Sequence, residues 1–473
     1  MSFWSPKGVC SNSGQSHRQK RNSPTRESIA LALLCSAGAT AYAQGLPPGM
    51  IASFDVTQRL EWSDNPDLDT DGNSDFFGRT VLGFGLESVT KVQSFSLDLG
   101  TEIEEFQEDN DKDVEFTNYF ANLGYNRNTR NALFGLDLNY SETDTDGDFT
   151  DGDFDQDGNV IVLDDGTRVS YGYVLRGEVG REAPVGASFD WSYNQLEYKD
   201  TNDPDLNDST LNDFSGRINF RINPRITTSL TGLYNDFDTD DPNGTDRETT
   251  GLGVATDLEI SPVWTSSVAL SYDRIERSGG TNRTDEGVSG SIDVTRALSN
   301  GTVGARYSSD VFANDDGRRS FLSVNRDMEL PRGDLFLSLG VTGSDTVGTD
   351  PLMEVTYRHD LPTGQMLFEF NQRVVVDDDD NEDINTTLRA SYDQEINSLS
   401  GYGISLALFD RNALDGGDDA QRYDLEFTYR HDLTRDWGLV SGISYTFLEE
   451  DNEADRDRTT VFIGLQRSFN WIP

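Results

Sequence analysis

The sequence has few cysteines, few basic residues and no long apolar run, and each shortage excludes a class of protein. Only Cys10 and Cys35 occur among 473 residues, which excludes a fold held by many disulfides or a cysteine-rich metal site. Lys and Arg number 38 against 84 Asp and Glu, a net charge of −46, which argues against nucleic-acid binding. The longest apolar run, Ile29–Ala39, is about half of the roughly 20 residues that a membrane-spanning helix needs. A multi-span helical membrane protein is therefore excluded.

The abundant residue types predict a folded chain. The sequence contains 26 Phe, 17 Tyr, 6 Trp and 44 Gly. Disordered acidic chains are poor in aromatic and β-branched residues. The acidic charge therefore belongs to a folded protein, and the remaining question is where its apolar surface is buried.

The first 43 residues have the organisation of an export signal, although a disordered tail with a short helix is an alternative. A basic segment precedes the apolar segment Ile29–Leu34, and Ala41-Tyr42-Ala43 forms an A-x-A cleavage site. We predict a signal peptide over residues 1–43 and a mature, cysteine-free chain over 44–473. The basic residues are Lys7, Arg18, Lys20, Arg21 and Arg26.

The mature chain repeats a period-two pattern from its start to its end. In one segment Val169, Tyr171, Tyr173 and Leu175 alternate with polar residues, and in another Phe214, Ile218, Phe220 and Ile222 do so. Alternation of this kind places apolar and polar side chains on opposite faces of a β-strand. About ten residues per strand and roughly 22 strands, within a range of about 18 to 24, follow from counting these segments.

Two kinds of connection alternate between the predicted strands. Short turns such as Asn223–Pro224 and Ser261–Pro262 contain Pro, Asn, Gly or a basic residue. The other kind is long and acidic, and its clearest examples are Ser63–Asn73, Gln107–Asp113, Glu142–Thr167, Tyr198–Asn212, Asp236–Glu248 and Val376–Asp383. Strands of about ten residues with short turns at one end and long loops at the other are typical of a membrane barrel.

We therefore predict an all-β fold, a single transmembrane antiparallel up-and-down β-barrel with short periplasmic turns and long acidic extracellular loops. A closed barrel pairs every backbone polar group, which the hydrocarbon region requires. We find no segment that would form a plug or a second domain. Aromatic residues near the strand ends predict interfacial girdles: Trp62, Phe76, Phe77, Phe106, Phe116, Tyr125, Tyr140, Trp191, Tyr193, Tyr234, Trp264, Tyr272, Tyr357, Tyr429 and Trp437.

The last predicted strand carries the most specific resemblance. Val461, Ile463, Leu465, Phe469 and Trp471 lie on one face of a C-terminal strand, and in this respect the chain resembles bacterial outer-membrane β-barrel proteins, within them the porin-like proteins. The resemblance implies export to the outer membrane and contact with its lipid and lipopolysaccharide. It also implies recognition of the last strand by the barrel-assembly machinery.

The predicted inner face is polar and carries both signs of charge. A dry core would not tolerate so many charges, whereas a water-filled channel would. A plugged, non-conducting interior is the alternative. The charged residues predicted for the inner face are Arg79, Asp98, Glu102, Arg176, Glu178, Arg217, Arg221, Asp257, Asp293, Arg306, Glu369, Arg373, Arg389, Asp424 and Glu426.

Catalysis is not expected. The mature chain has only His359 and His431, each in a repeated Tyr-Arg-His-Asp-Leu unit at a strand end. Neither has an evident nucleophile and acid partner in the sequence, and the common hydrolase and phosphate-binding motifs are absent. We predict that the protein is not an enzyme.

One acidic loop matches the spacing of a Ca²⁺-binding loop. Asp153, Asp155, Asp157, Asn159 and Asp164 fall at positions where such loops place oxygen ligands. Asp67, Asp69 and Asp71 form a second, incomplete version. We predict Ca²⁺ at these sites, with solvated acidic loops as the alternative, since Asp and Gly are common turn residues.

Three functions are compatible with these features. The first is a porin-like channel for small hydrophilic solutes or ions, with a preference for cations because acidic loops concentrate them at the mouth. The alternatives are an exopolysaccharide export conduit and a non-conducting, Ca²⁺-stabilised surface or structural barrel. The sequence alone does not separate the three.

Overall fold

The computed structural model describes residues 49–471, with gaps at 67, 69, 71, 109–110, 145–165, 202–205, 242–243, 280–281, 312–317, 345–347, 377–381, 414–418 and 451–453. The predicted signal peptide lies outside these residues. Every regular element within them is a β-strand. No helix in this part of the chain is long and apolar enough to cross a membrane.

The described residues form 22 strands, as the sequence predicts. They are β1 (Met50–Ser63), β2 (Asp75–Val89), β3 (Gln93–Glu108), β4 (Asp111–Asn128), β5 (Ala132–Asp144), β6 (Thr167–Val179), β7 (Val185–Lys199), β8 (Ser209–Asn223), β9 (Ile226–Thr239), β10 (Thr245–Ser261), β11 (Trp264–Gly279), β12 (Arg283–Leu298), β13 (Gly301–Val311), β14 (Arg318–Leu330), β15 (Gly333–Ser344), β16 (Gly348–Leu361), β17 (Gly364–Val376), β18 (Glu382–Asn397), β19 (Ser400–Ala413), β20 (Ala420–Asp432), β21 (Trp437–Glu450) and β22 (Arg456–Trp471).

The strands close into one antiparallel up-and-down barrel. Each strand pairs with its neighbours in sequence, and β22 pairs with β1, from Ala52 opposite Trp471 to Ser63 opposite Thr460. Closure leaves no sheet edge with unpaired backbone groups. The predicted all-β barrel fold is confirmed.

Most connections at one end of the barrel are short, and most of those at the other end are longer. The connections after even-numbered strands form what we call the turn end, where 224–225 and 262–263 are examples. Those after odd-numbered strands form the loop end, where 64–74, 145–166 and 200–208 are the longest. Gly301 and Gly333 begin strands after two-residue turns with φ of 118° and 139°, a region that favours glycine.

The strands extend further towards the loop end than the predicted ten residues. The shortest, β13, has 11 residues and the longest, β4, has 18. The predicted long loop Gln107–Asp113 is wrong, since β3 runs to Glu108 and β4 begins at Asp111. Similarly, only residues 240–244 of the predicted loop Asp236–Glu248 lie between strands. Acidic residues are typical of loops, but here they extend the paired strands beyond the apolar band.

Candidate lumen and its loop-end collar

The barrel wall has an apolar outer face and a polar inner face. Large apolar side chains on the outer face are exposed, among them Leu252, Leu270 and Ile463. The strand registers place all fifteen charged residues of the predicted inner face on the opposite side, facing the lumen. The last strand also behaves as predicted, with Val461, Ile463, Leu465 and Trp471 exposed on the outer face. A period of two therefore identified both faces of the wall.

The prediction that Phe77 belongs to an interfacial girdle is wrong. Phe77 faces the lumen, because it is paired with the inward-facing Glu61, and only 2% of it is exposed. Its neighbour Phe76 faces outward and is exposed. Two adjacent Phe residues must lie on opposite faces of a strand, so only one of them can belong to the girdle. The other predicted aromatics whose side chains are described face outward.

Inward-facing charges at the loop end are buried in a network. The Arg79 guanidinium lies 2.7 Å from Glu104, 3.7 Å from Glu102 and 4.0 Å from Glu61. Arg79 and Glu61 are each 1% exposed. Arg59 lies over the ring of inward-facing Phe462, with 4.8 Å between its guanidinium carbon and the ring centroid. We call Glu61, Phe77, Arg79, Glu102, Glu104 and Phe462 the collar.

A β-bulge completes the collar on the β4 side. The register of β3 and β4 shifts between Gly100 and Glu102, and Asn118 adopts a φ of 51°. The Asn118 amide nitrogen donates a hydrogen bond of 2.9 Å to Glu102. Bulges re-aim side chains in this way, and here the result is one more partner for a buried carboxylate.

Other inward-facing arginines at the loop end are also buried and partnered. Arg277 lies 3.3 Å from Asp285, and Arg319 donates to the Thr342 hydroxyl at 3.1 Å. Arg422 lies 2.9 Å from Asp424, which also accepts a 2.7 Å bond from Thr446. The inner wall at this end is thus tightly packed on several sides of the barrel.

The first connection bends into the loop end of the lumen. Inward-facing Arg458 of β22 donates a buried hydrogen bond of 3.2 Å to the Pro66 carbonyl. Asn65 donates to the Asp457 carbonyl at 2.9 Å, and Leu68 is only 1% exposed. Because the Pro66 carbonyl meets a residue that faces inward, residues 64–68 narrow this end of the barrel where they are described.

Further towards the turn end, the inward-facing charges are well exposed. Arg176 lies 3.2 Å from Asp137 and 3.7 Å from Asp190, and Arg176 and Asp137 are each 52% exposed. Similar half-exposed pairs join β8 to β10, β12 to β13 and β18 to β20. These pairs, which we call the ladder, are Asp137–Arg176–Asp190, Arg217–Asp257, Asp293–Arg306 and Asp393–Arg430.

Two further carboxylates on the inner wall lack a cationic partner. Asp55 and Asp98 face inward beside β2, where each is paired with a glycine, Gly83 and Gly85. Neither forms an ion pair with any residue that the structure describes. The side chains of this wall therefore include uncompensated negative charge.

The predicted Ca²⁺ ligands cannot be placed. Asp153, Asp155, Asp157, Asn159 and Asp164 lie outside the described residues, and so do Asp67, Asp69 and Asp71. Within the described residues no group of three or more His, Asp or Glu is arranged to hold a metal ion. Ca²⁺ binding in these loops remains a prediction.

Both histidines of the described residues, His359 and His431, lie on the outer face at the turn end. Each stacks on the Tyr of its own unit, Tyr357 with His359 at 5.9 Å and Tyr429 with His431 at 6.5 Å between ring centroids. His431 also has a hydroxyl partner that its sequence neighbourhood does not reveal, since Ser400 Oγ lies 2.8 Å from its Nδ1. These two residues meet only because β19 pairs with β20.

Comparisons with known proteins agree with the barrel. The family model described as "Outer membrane protein beta-barrel domain" matches residues 29–221, which include β1 to β7 and most of β8. No curated protein matches the chain in sequence.

Solved structures similar to this chain include receptors of three bacteria. The siderophore receptor PirA from Acinetobacter baumannii is 10% identical, with a TM-score of 0.54 over 90% of this chain and 81% of that one. A mutant of the ferric enterobactin receptor PfeA from Pseudomonas aeruginosa, in complex with enterobactin, is 11% identical, with a TM-score of 0.53 over 90% and 82%. The ferric-catecholate import receptor Fiu from E. coli K12 is 9% identical, with a TM-score of 0.53 over 88% and 81%. At such identities the likeness is one of fold alone.

Proposed function

We propose that the lumen of this outer-membrane β-barrel is a channel for small hydrophilic solutes or ions. The observation that carries this proposal is the ladder. Its charges are about half exposed although they point into a closed barrel. Charges in a dry interior would be strongly destabilising, so water must reach them.

The part of the chain that the structure describes places no separate domain in the lumen. A barrel of 22 strands is wide, and 22-stranded outer-membrane transporters hold a plug in the lumen. Here residues 49–471, where described, are strands and the connections between them, and none forms a separate domain inside the barrel. The described residues therefore fit diffusion through the lumen better than a barrel that holds a plug.

Charge on the inner wall favours cations. The ladder arginines have carboxylate partners, and Arg176 has two. Asp55 and Asp98 have no cationic partner among the described residues, so they add negative potential to the wall. A channel lined by one excess sign of charge concentrates counter-ions and selects for them.

The collar sets the size limit in this proposal. Its residues are buried, its charged members form ion pairs, and residues 64–66 bend in beside Arg458. Short turns face the periplasm in bacterial barrels, which puts the collar at the extracellular mouth. Solutes would meet the narrow collar first and the hydrated ladder next. No catalytic step is proposed.

Flux into proteoliposomes tests the channel. Purified protein, shown to be folded by its heat-dependent gel mobility, is reconstituted into liposomes, and swelling is followed in isotonic arabinose, glucose and sucrose. We expect swelling faster than in protein-free liposomes, with the rate falling as the sugar becomes larger. Folded protein that gives no swelling with any of the three would contradict the proposal and favour a non-conducting barrel.

A further inference from the structure

A row of outward-facing residues crosses seven neighbouring strands from β4 to β10. Each member is directly paired with the next across a strand boundary, so the row follows the hydrogen-bonding direction of the sheet. Three of its members are glycines, which give the wall no side chain at those points. The row consists of Arg127, Phe134, Gly177, Phe189, Gly216, Gly232 and Leu252.

These glycines open a groove on the lipid-facing wall. The Phe189 ring lies over Gly177 and leaves no room there for a Cβ. Beyond it, Gly216 and Gly232 form a floor between larger side chains, and a Cβ added at Gly232 would lie 3.5 Å from the Leu252 side chain and 3.9 Å from the Gly251 carbonyl oxygen. The groove has a volume of about 710 Å³ and is bordered by Phe134, Phe214, Ile218 and Leu230. Its lining is almost entirely apolar.

The groove runs from the turn end into the apolar band. Arg127 is one residue from the turn-end limit of β4, whereas Leu252 lies midway along β10. Six strand spacings of about 4.8 Å separate the first and last members of the row, or about 29 Å. A linear apolar ligand in the groove would thus start at the membrane boundary and continue into the hydrocarbon region.

Arg127 differs from the other arginines at this boundary. Outward-facing Arg296 lies 5.4 Å from the Trp264 ring centroid, and Arg467 lies 5.1 Å from that of Trp437. The Arg127 guanidinium is exposed and forms no ion pair, side-chain hydrogen bond or ring contact with a described residue. It borders the groove and is available to a ligand.

We propose that this groove binds one glycerophospholipid of the inner leaflet, with the phosphate on Arg127 and an acyl chain over the floor of Gly216 and Gly232. Arginine binds phosphate through charge-assisted, forked hydrogen bonds. A floor of glycine backbone lets a methylene chain approach closely, and the bordering aromatic and aliphatic side chains contact it from both sides. The groove matches a phospholipid in both parts, the charged head and the apolar chain.

A second copy of the chain fits the groove less well. Its own outward-facing rim would present further positive charge to Arg127. The Asp, Glu, Lys, Arg and His strand residues that face outward at the turn end, where described, are all of basic type: Arg127, Arg296, Arg326, His359, His431 and Arg467. A phosphate supplies the opposite charge.

Native mass spectrometry of the intact, folded chain tests the proposal. Delipidated protein in detergent is titrated with 1-palmitoyl-2-oleoyl-phosphatidylglycerol and, separately, with a diacylglycerol carrying the same acyl chains. We expect one tightly bound phosphatidylglycerol per chain and much weaker binding of the diacylglycerol. R127Q should weaken phosphatidylglycerol binding by about tenfold, and G232L should abolish it by filling the groove.

Two matched variants serve as controls. R296Q removes a boundary arginine that already has a ring partner, and G78L adds a leucine on the outer face away from the groove, where a Cβ has room. Both should bind phosphatidylglycerol as the unmodified protein does. Equal lipid binding by all five proteins would overturn the proposal by showing unspecific surface lipid only. A lipid-free dimer that G232L disrupts would overturn it in favour of a second copy.

Discussion

The collar and the ladder are built from the same residue types, Arg with Asp or Glu, yet they differ in exposure. Arg79 and Glu61 of the collar are 1% exposed, whereas Arg217 and Asp257 of the ladder are 46% and 51% exposed. Buried ion pairs are strongly destabilising to break because the remaining charge is left without water. Exposed pairs contribute little to stability because water replaces the lost partner. The collar thus stabilises the barrel, whereas the ladder lines the lumen and contributes little to stability.

The difference follows from position along the strands. At the loop end the strands continue beyond the apolar band, and residues 64–68 fold against the inner wall. The collar side chains at this end are buried. Nearer the turn end, no described part of the chain covers the inner wall. Substitutions in the two regions should accordingly change different properties, and the following predictions are ordered by the size of the expected effect.

The largest effect is expected from Arg79→Ala. The substitution leaves Glu61, Glu102 and Glu104 buried without the guanidinium they surround, which should cost about 3–5 kcal/mol of unfolding free energy. Urea-induced unfolding of the reconstituted protein, followed by heat-dependent gel mobility, measures it. Arg306→Ala in the ladder is the control, with an expected change of about 1 kcal/mol or less. Equal unfolding midpoints for the two variants would contradict the distinction between the regions.

A large change in conductance is expected from Arg458→Ala. Loss of the hydrogen bond to the Pro66 carbonyl releases the first connection from the inner wall, so the narrow end should widen. We expect a higher single-channel conductance with more frequent transitions between levels. Arg458→Lys, which keeps the charge, controls for electrostatics alone. If Arg458→Ala changes conductance no more than Arg458→Lys does, residues 64–68 do not limit the flow.

A moderate change in ion selectivity is expected from the paired substitutions Asp55→Asn and Asp98→Asn. Removing two uncompensated carboxylates makes the wall less negative, so the cation preference should fall. The reversal potential under a KCl gradient measures it. The converse variant, Arg217→Gln, leaves Asp257 unpaired and should raise the preference. Shifts of the same sign in both would show that the wall charges do not set selectivity. High salt should reduce either shift through screening.

The smallest effect is expected in the coupling between ladder partners. A double-mutant cycle with Arg217→Gln and Asp257→Asn should give a coupling energy of about 0.2–1 kcal/mol, since both side chains are about half exposed. The same cycle on Arg79 and Glu104 in the collar should give a clearly larger value. Unfolding free energies of the four proteins in each cycle supply the measurement. A ladder coupling as large as that of the collar would mean that the ladder is dry.

The fold was predictable because both of its signals are local. Period-two alternation identifies each strand and both of its faces, and the alternation of turn and loop lengths identifies an up-and-down barrel. All fifteen charged residues predicted for the inner face lie there. The loop-end strand limits were not predictable from acidity. The acidic residues of Gln107–Asp113 predict a loop, yet most of them extend strands β3 and β4. The pairing of β3 with its other neighbour, β2, is fixed nearer the apolar band by cross-strand partners such as Arg79 and Glu104.

The collar, the Ser400–His431 contact and the groove depend on information that a single segment does not contain. The collar needs the closure of β22 onto β1 and the inward course of residues 64–68. Ser400 meets His431 across a strand pair, 31 residues apart in sequence. The groove needs six consecutive strand registers. The collar, the Ser400–His431 contact and the groove all depend on which strands pair and in which register. A sequence pattern can identify the residues involved, but it does not show that they are in contact.

Cysteine accessibility tests most directly whether a hydrated lumen lies below a tightly packed collar. Only Cys10 and Cys35 need replacement by serine to give a cysteine-free background. Single substitutions Arg306→Cys in the ladder and Ser63→Cys beside the collar, the latter fully buried, are then treated with a charged, membrane-impermeant thiol reagent. We predict rapid labelling at position 306, with a reduced channel current, and little labelling at position 63. Slow labelling at 306, or equal rates at both positions, would contradict the account.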